Sequence, residues 1–381
     1  MIIFGTATEN NDWIIGDDGN DWIYGAGGND LLQGGGGNDL LLGNHGDDTL
    51  VPGLGVDLVY GGFLDGDSGN DTVSYTLYGG AVQVDLAQGY GYLKSLGNAD
   101  KDTLRGIENV RGSAYDDFLG GDANANKLYG NDGKDILSGG QGNDGLYGGN
   151  NDDILTGGQG ADILDGGSGS DIASYSSSQE RVVVHLGGGY GLYGDAGGDS
   201  LTGIENVDGS SYDDWLFGDD GANGLFGANG ADHLYGNGGA DALAGGSGDD
   251  FLDGGTGGDK LIGGLGKDTM TGGTGADYFI FSVMTGIIDS AVETSRSDVI
   301  TDFGQDDTID LSGIDGNTGL GGNQAFTFIG GDDYSGTAGE LRISHIDGNT
   351  WIAGDNNGDG NSDFRIMLTG QHQLTASDFI L

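Results

Sequence analysis

The sequence predicts an all-β chain whose short parallel strands wind around a thin core, and three observations predict it. A nine-residue phrase, Gly-Gly-x-Gly-x-Asp-x-(apolar)-x, recurs along most of the chain, with clear copies starting at Gly34, Gly157 and Gly263. The eighth position is apolar in every copy. Aspartate holds the sixth, so it returns at a fixed interval. Within each phrase the glycine-rich first six residues can bend sharply, because glycine tolerates positive φ. The last three alternate outward, inward, outward, as a short strand does.

The elements follow in order. In a first block the inward slot holds Ile14, Ile23, Leu32, Leu41, Leu50, Val59 and Val73. In a second it holds Leu119, Leu128, Leu137, Leu146, Leu155, Leu164 and Ala173. In a third it holds Leu216, Leu225, Leu234, Leu243, Leu252, Leu261, Met270 and Phe279. Two phrases make one full turn, so aspartates 18 positions apart stack on the same side. Turns of a parallel sheet lie about 4.8 Å apart. Carboxylates that close repel unless a cation lies between them. The loops also point backbone carbonyls inward. Hard oxygen ligands of this kind suit Ca²⁺ better than Zn²⁺ or copper, with Mg²⁺ second because it demands tighter octahedral geometry.

The expected ladder pairs are Asp12 with Asp30, Asp21 with Asp39, Asp30 with Asp48 and Asp39 with Asp57. Next come Asp117 with Asp135, Asp135 with Asp153, and Asp144 with Asp162. The third block pairs Asp232 with Asp250, Asp241 with Asp259, Asp250 with Asp268, and Asp259 with Asp277. Asp71, Asp171 and Asp214 complete the set of expected metal ligands. Asn126 and Asn223 replace aspartate at the second step of their blocks; they keep a carbonyl oxygen but lose charge, so weaker sites are expected there. Stacked pairs suggest roughly 15 calcium ions, which would offset about 30 of the excess negative charges at two per ion.

Composition points the same way. Of 381 residues 87 are glycine, 1 is proline and none is cysteine, and 61 acids against 12 bases give a net charge of -49. Low hydrophobicity with high charge reads as disorder. Here that reading becomes conditional: disorder without a divalent cation, a solenoid with it. Such charge excludes nucleic acid and anionic membranes as direct partners, since both need basic patches. No apolar run of about 18 residues spans a bilayer. Met1-Ile2-Ile3-Phe4-Gly5 lacks the basic and apolar stretches of a Sec-type signal. The lack of cysteine fits a protein that does not rely on disulfides.

The organisation reads as blocks at 1–74, 112–174 and 209–280, β-rich inserts at 75–111 and 175–208, and a distinct region at 281–381. The inserts resemble each other. Asp71-Thr72-Val73-Ser74-Tyr75 matches Asp171-Ile172-Ala173-Ser174-Tyr175, and Gly106-Ile107-Glu108-Asn109-Val110 matches Gly203-Ile204-Glu205-Asn206-Val207. Their strands are expected along a roll edge or bridging two rolls. Tyr90, Tyr92, Tyr190 and Tyr193 read as aromatic packing ahead of carbohydrate stacking. One outward face of the first block is apolar, with Trp22, Tyr24, Leu40, Leu42, Leu58 and Tyr60. Such a stripe implies a cover, either an insert of the same chain or another copy, with cover from the same chain favoured.

The nonapeptide resembles the calcium-binding repeat of RTX proteins, a parallel β-roll (a calcium-stacked β-helix). The last region resembles the C-terminal domain of serralysin-type secreted metalloproteases over about 100 residues. It is carried by segments such as Asp298-Val299-Ile300-Thr301-Asp302-Phe303 and Thr308-Ile309-Asp310-Leu311-Ser312. The resemblance implies a β-sandwich-like secretion domain and export by a type I ABC transporter through an uncleaved C-terminal signal. The ending Asp378-Phe379-Ile380-Leu381, an acid followed by apolar residues, fits that signal. Asp355, Asn357, Asp359 and Asp363 have EF-hand-like spacing around Gly360, but Ile366 stands where a bidentate glutamate is needed. A hydrogen-bonded hairpin and a weak metal site both remain open there.

No chemistry is legible. His45, His185, His233, His345 and His372 do not form the His-Glu-x-x-His zinc motif of serralysins, and no Gly-x-Ser-x-Gly elbow occurs. No catalytic residue and no organic cofactor is expected; calcium is. The leading reading is a secreted, non-catalytic, calcium-binding extracellular protein with structural or adhesive duties, as a surface layer, matrix or filament subunit. Its expected partners are the type I export machinery and either further copies of itself or a cell-surface polysaccharide. The alternatives are a carbohydrate-binding module, and the export and folding tail of an enzyme, against which Met1 followed at once by repeats argues.

Overall fold

The computed structural model describes residues 8–62, 69–284, 287–288 and 297–381. Its Cα packing divides the chain into two compact units, Met1–Tyr175 with Tyr190–Ile204, and Ser176–Gly189 with Glu205–Leu381. Among the described residues the regular structure is strand, apart from short 3₁₀ turns such as Gly97–Asp100 and Ala376–Asp378. No helix among them is long and apolar enough to cross a membrane.

In the first unit each nonapeptide makes one strand, and alternate strands pair in parallel 18 residues apart. Ile14 lies beside Leu32 and Leu32 beside Leu50 in one sheet, while Ile23, Leu41 and Val59 align in the other. Two phrases therefore make one coil, as the spacing predicts. Every residue expected in the inward slot of the three blocks is buried, from Ile14 at 7% to Leu32 at 0%. The core is one side chain deep per strand, so each coil leans on its neighbours.

The first insert is spliced into this ladder and pairs with both the first and the second block. Asp102–Arg105 runs parallel to Leu58–Tyr60 and antiparallel to Tyr90–Leu93. Tyr90–Leu93 turns back on Val82–Asp85, which pairs in parallel with Phe118–Gly120 of the second block. In the opposite sheet Val73, Val110 and Leu128 align. Tyr90 and Tyr92 stack at 5.8 Å, and the Lys101 ammonium sits 3.8 Å from the Tyr90 ring centre, the packing role expected of them. Tyr190 and Tyr193 lie exposed.

The apolar stripe departs from expectation. The first insert does not cover it: Trp22, Tyr24 and Leu58 are exposed, and Leu40, Leu42 and Tyr60 are half-buried. The insert instead extends the same sheet edge to edge, so its side chains lie beside the stripe rather than over it.

In the second unit the third block repeats the coil. Leu216, Leu234, Leu252 and Met270 align in one sheet, and Leu225, Leu243, Leu261 and Phe279 in the other. Gly255 and Gly257 hold φ of +96° and +146°, conformations a side chain would strain. Both sheets continue past the last repeat. Met270 pairs with Ile300, whose strand pairs with Phe364–Leu368 of the antiparallel meander Glu340–Ile346, Asn349–Asp355, Phe364–Leu368. Phe279 pairs with Ile309 and Ile309 with Phe379. Phe326, Leu341, Ile352, Phe364 and Phe379 fill the resulting two-faced core.

Candidate metal columns

The sixth residue of each phrase ends the glycine bend and opens the strand, so its side chain turns inward at the corner of the coil. Of the aspartates expected as ligands only Asp12 is partly open. Asp21, Asp30, Asp39, Asp48, Asp57 and Asp71 are buried; so are Asp117, Asp135, Asp144, Asp153, Asp162 and Asp171; so are Asp214, Asp232, Asp241, Asp250, Asp259, Asp268 and Asp277.

Every expected pair is brought together, and always in the same way. The Asp12 N–H donates to Asp30 Oδ1 at 2.7 Å, Asp39 N–H to Asp57 Oδ1 at 2.7 Å, and Asp250 N–H to Asp268 Oδ1 at 2.9 Å. The columns also run 153–171 and 214–232. One oxygen of most of these carboxylates is thus occupied by the preceding coil. The other is not: Oδ2 of Asp30, Asp39, Asp57, Asp135, Asp144 and Asp153 is buried with no hydrogen-bond partner, as is Oδ2 of Asp232, Asp241, Asp250, Asp259 and Asp277. Oδ2 of Asp12, Asp21, Asp117 and Asp214 instead accepts the N–H of Thr8, Asp17, Ser113 and Ser210. A buried carboxylate oxygen left in that state costs more than one kcal/mol, about 1–3 for a neutral group.

These oxygens converge on the first glycine of each phrase. A Cβ at Gly254 would sit 2.5 Å from Asp259 Oδ2 and 2.7 Å from the Gly272 carbonyl oxygen. The glycine therefore keeps open a cradle bounded by a carboxylate oxygen and a carbonyl of the next coil. No group of three or more His, Asp or Glu side chains among the described residues could close on one ion. A cation held here must take backbone carbonyls as well, an all-oxygen set that fits calcium and not zinc.

Burial shifts these carboxyls upward. It pushes Asp57, Asp135, Asp153 and Asp268 to about 7, and Asp232 to about 8, with neighbouring column carboxylates adding to the effect. Asp144, Asp241, Asp250 and Asp277 rise to about 6 for the same reason. Each is short of positive charge.

Asn126 and Asn223, where weaker sites are expected, are held by hydrogen bonds on both sides of their amides. Their amide nitrogens donate to the carbonyls of Glu108 and Glu205, at 2.8 and 3.0 Å, and their oxygens accept the N–H of Asp122 and Asp219.

The structure adds column members the sequence reading missed. Asp57, Asp162, Asp268 and Asp277 pass their N–H groups to Asp102, Asp199, Asp298 and Asp307, and Asp71 passes its own to Glu108. The signal was present as Asp-x-(apolar) in Asp102-Thr103-Leu104 and Asp199-Ser200-Leu201, with only part of the glycine pattern before it. An outer ladder was also missed: the Asn29 N–H donates to Asn11 Oδ1 at 2.9 Å, and the Asp47 N–H to Asn29 Oδ1 at 3.1 Å. It runs opposite in sense to the inner one.

The EF-hand-like loop has the geometry of a hydrogen-bonded hairpin. Asp355 accepts the N–H groups of Gly358 and Gly360 at 2.7 and 2.8 Å, and Asp363 accepts that of Asn356 at 2.7 Å and the Asn357 amide at 2.8 Å.

Comparison with known proteins agrees with this geometry. The RTX calcium-binding nonapeptide repeat matches in four copies, over residues 6–41, 25–59, 111–146 and 139–173. The serralysin C-terminal family of M10 peptidases matches residues 203–381, so it takes in the third block as well as the region from 281. The chain thus carries RTX calcium-binding repeats joined to a serralysin-type C-terminal region. Among solved structures, the AlgE6R3 subunit of the Azotobacter vinelandii mannuronan C5-epimerase is 26% identical, over 45% of this chain and 78% of that one, with a TM-score of 0.27. The AlgE6R2 subunit is 29% identical over 45% and 90%, with a TM-score of 0.27. The extracellular lipase LipA of Serratia marcescens is 14% identical over 98% and 39%, with a TM-score of 0.21. No curated protein matches the chain.

Proposed function

We propose that this is a secreted, non-catalytic RTX protein that folds as calcium fills its columns outside the cell and then serves a structural or adhesive role there. The observation that carries the reading is the repeated buried Oδ2 with no donor, facing a glycine-lined cradle of carbonyl oxygen. The ligands are the repeat aspartates expected from the nonapeptide spacing, from Asp12 to Asp277. Calcium supplies the positive charge that cancels their repulsion. The protein supplies the rest: glycine turns admit the ion, N–H groups orient Oδ1, and the leucine row fixes coil spacing.

The mechanism is a switch. Extracellular calcium sites have dissociation constants of roughly 0.1–1 mM, far above cytosolic calcium. Inside the cell the repeat blocks stay open; outside, binding free energy becomes folding free energy. The chain ending supports this order of events. Phe379 is buried opposite Ile309, so this apolar residue of the ending is free for an exporter only before folding. The exposed row of Trp22, Tyr24 and Leu58 supports self-association. Circular dichroism should change from coil in chelator to β-structure on adding calcium, and light scattering should then show assemblies. Identical spectra would contradict the switch; a monodisperse monomer would contradict the structural role.

A second reading, polysaccharide binding, is favoured by one cleft of about 500 Å³ whose lining includes Arg111, Lys127, Tyr129, Tyr147 and Asn143. Arg111 lies over the Tyr129 ring at 4.7 Å. Binding of acidic polysaccharides in calcium, lost in Arg111→Ala, would select it.

A further inference from the structure

Two positions in the first unit break the column rule in the same way. Inside the repeat runs a column aspartate such as Asp39 or Asp153 uses Oδ1 for the preceding coil and leaves Oδ2 without a donor, while at Asp21, Asp117 and Asp214, where runs begin, Oδ2 accepts the local backbone N–H of Asp17, Ser113 and Ser210. At Asp102 the Oδ1 accepts the Asp57 N–H at 3.1 Å, and Oδ2 accepts the Tyr75 hydroxyl at 3.2 Å. At Asp199 the Oδ1 accepts the Asp162 N–H at 2.8 Å, and Oδ2 accepts the Tyr175 hydroxyl at 3.1 Å. Both tyrosines are at most 1% exposed. They end the paired motifs Asp-x-(apolar)-Ser-Tyr that recur at residues 71 and 171, whose closing Ser-Tyr no part of the repeat requires.

We propose that Tyr75 and Tyr175 stand in for the cation, so that the insert coils at Asp102 and Asp199 hold together without calcium. This rests on the calcium reading of the columns. A carboxylate oxygen cut off from water needs either a positive charge or a hydrogen-bond donor. The nonapeptide coils inside a run offer a glycine cradle and no donor. The insert coils offer a phenol hydroxyl, which is protonated at neutral pH and donates. The substitution also demands space: a Cβ at Gly91 would collide with the Tyr75 hydroxyl, so glycine is needed opposite the plug. The consequence is that calcium fills the first two blocks in separate runs, each ended by a hydrogen-bonded coil.

The test is the number of ions bound per chain, by equilibrium dialysis of the full chain against calcium. Asp39→Asn and Asp153→Asn should each lose at least one ion. Asp102→Asn and Asp199→Asn should hold the wild-type number, with a calcium midpoint within about twofold, because an amide oxygen still accepts the phenol proton. Any change in ion number in Asp102→Asn or Asp199→Asn overturns the inference and leaves the calcium reading standing. No loss in Asp39→Asn and Asp153→Asn overturns the calcium reading itself. Tyr75→Phe and Tyr175→Phe serve as the second pair. Each should lower the Tm of calcium-saturated protein by about 2–4 °C with no change in ion number. An unmoved Tm would show the hydroxyls idle and overturn the proposal.

Discussion

Leu252 and Ile352 are both fully buried in strands of the second unit, yet they are held in place by different forces. Leu252 belongs to the third repeat block. Its strand buries Leu252 and Gly254, and flanking it stands Asp250, a buried carboxylate with an oxygen no donor reaches. Ile352 belongs to the C-terminal meander, where Asn349–Asp355 is buried at nearly every position and Phe326 packs edge-on against Phe364 at 5.6 Å. The meander obtains its cohesion from apolar area removed from water. On the proposed reading the repeat block, one side chain deep, delegates cohesion to a ligand. One chain would then contain a region that is folded by its own side chains and a region whose folding is conditional.

Removing calcium should expose this difference most strongly. In chelator, amides of residues 209–280 should exchange with solvent at once, while those of 340–368 keep measurable protection. Equal loss of protection in both regions would break the comparison. A smaller effect should follow from filling one cradle. Gly254→Ala places a methyl where Asp259 Oδ2 and the Gly272 carbonyl converge, and should raise the calcium midpoint by about tenfold. Gly331→Ala, with nothing within 4 Å, should leave it unchanged. A silent Gly254→Ala would show that the space is not a ligand site.

The smallest effect is in pH. Burial raises Asp250 to about 6, Asp268 to about 7 and Asp232 to about 8. A folded carboxyl whose value lies above its unfolded one binds protons that the coil releases. The stability it lends the metal-free fold is complete below about pH 4 and is lost as pH rises through 6 to 8. In chelator, the β-signal of the repeat blocks should therefore grow as pH falls from 8 to 4. A signal that shrinks with acid would reverse the assigned direction.

How much of this was legible follows from range. The leucine row and the aspartate columns recur at a fixed spacing, so Asp30 and Asp48 could be placed together from the sequence, and the structure places them so. Asp102 and Asp199 could not. They lie 45 and 37 residues from the N–H groups they accept, and no period spans the inserts. The stripe failed for a related reason. Trp22 and Leu40 were legible as neighbours, but whether another segment folds over them depends on the path of the insert. That path runs edge to edge.

The sequence by itself determined the coil: its strand length, its inward row, its stacked carboxylates and its hunger for a hard cation. A repeat only one side chain deep has few ways to pack, and the period alone selects among them. Only the tertiary structure decided where the columns stop needing a cation. Tyr75 reaches Asp102, and Tyr175 reaches Asp199, through closure of a loop whose ends carry no periodic mark. A hydrogen bond between distant residues is set by where the backbone returns, and that is a property of the whole packed unit.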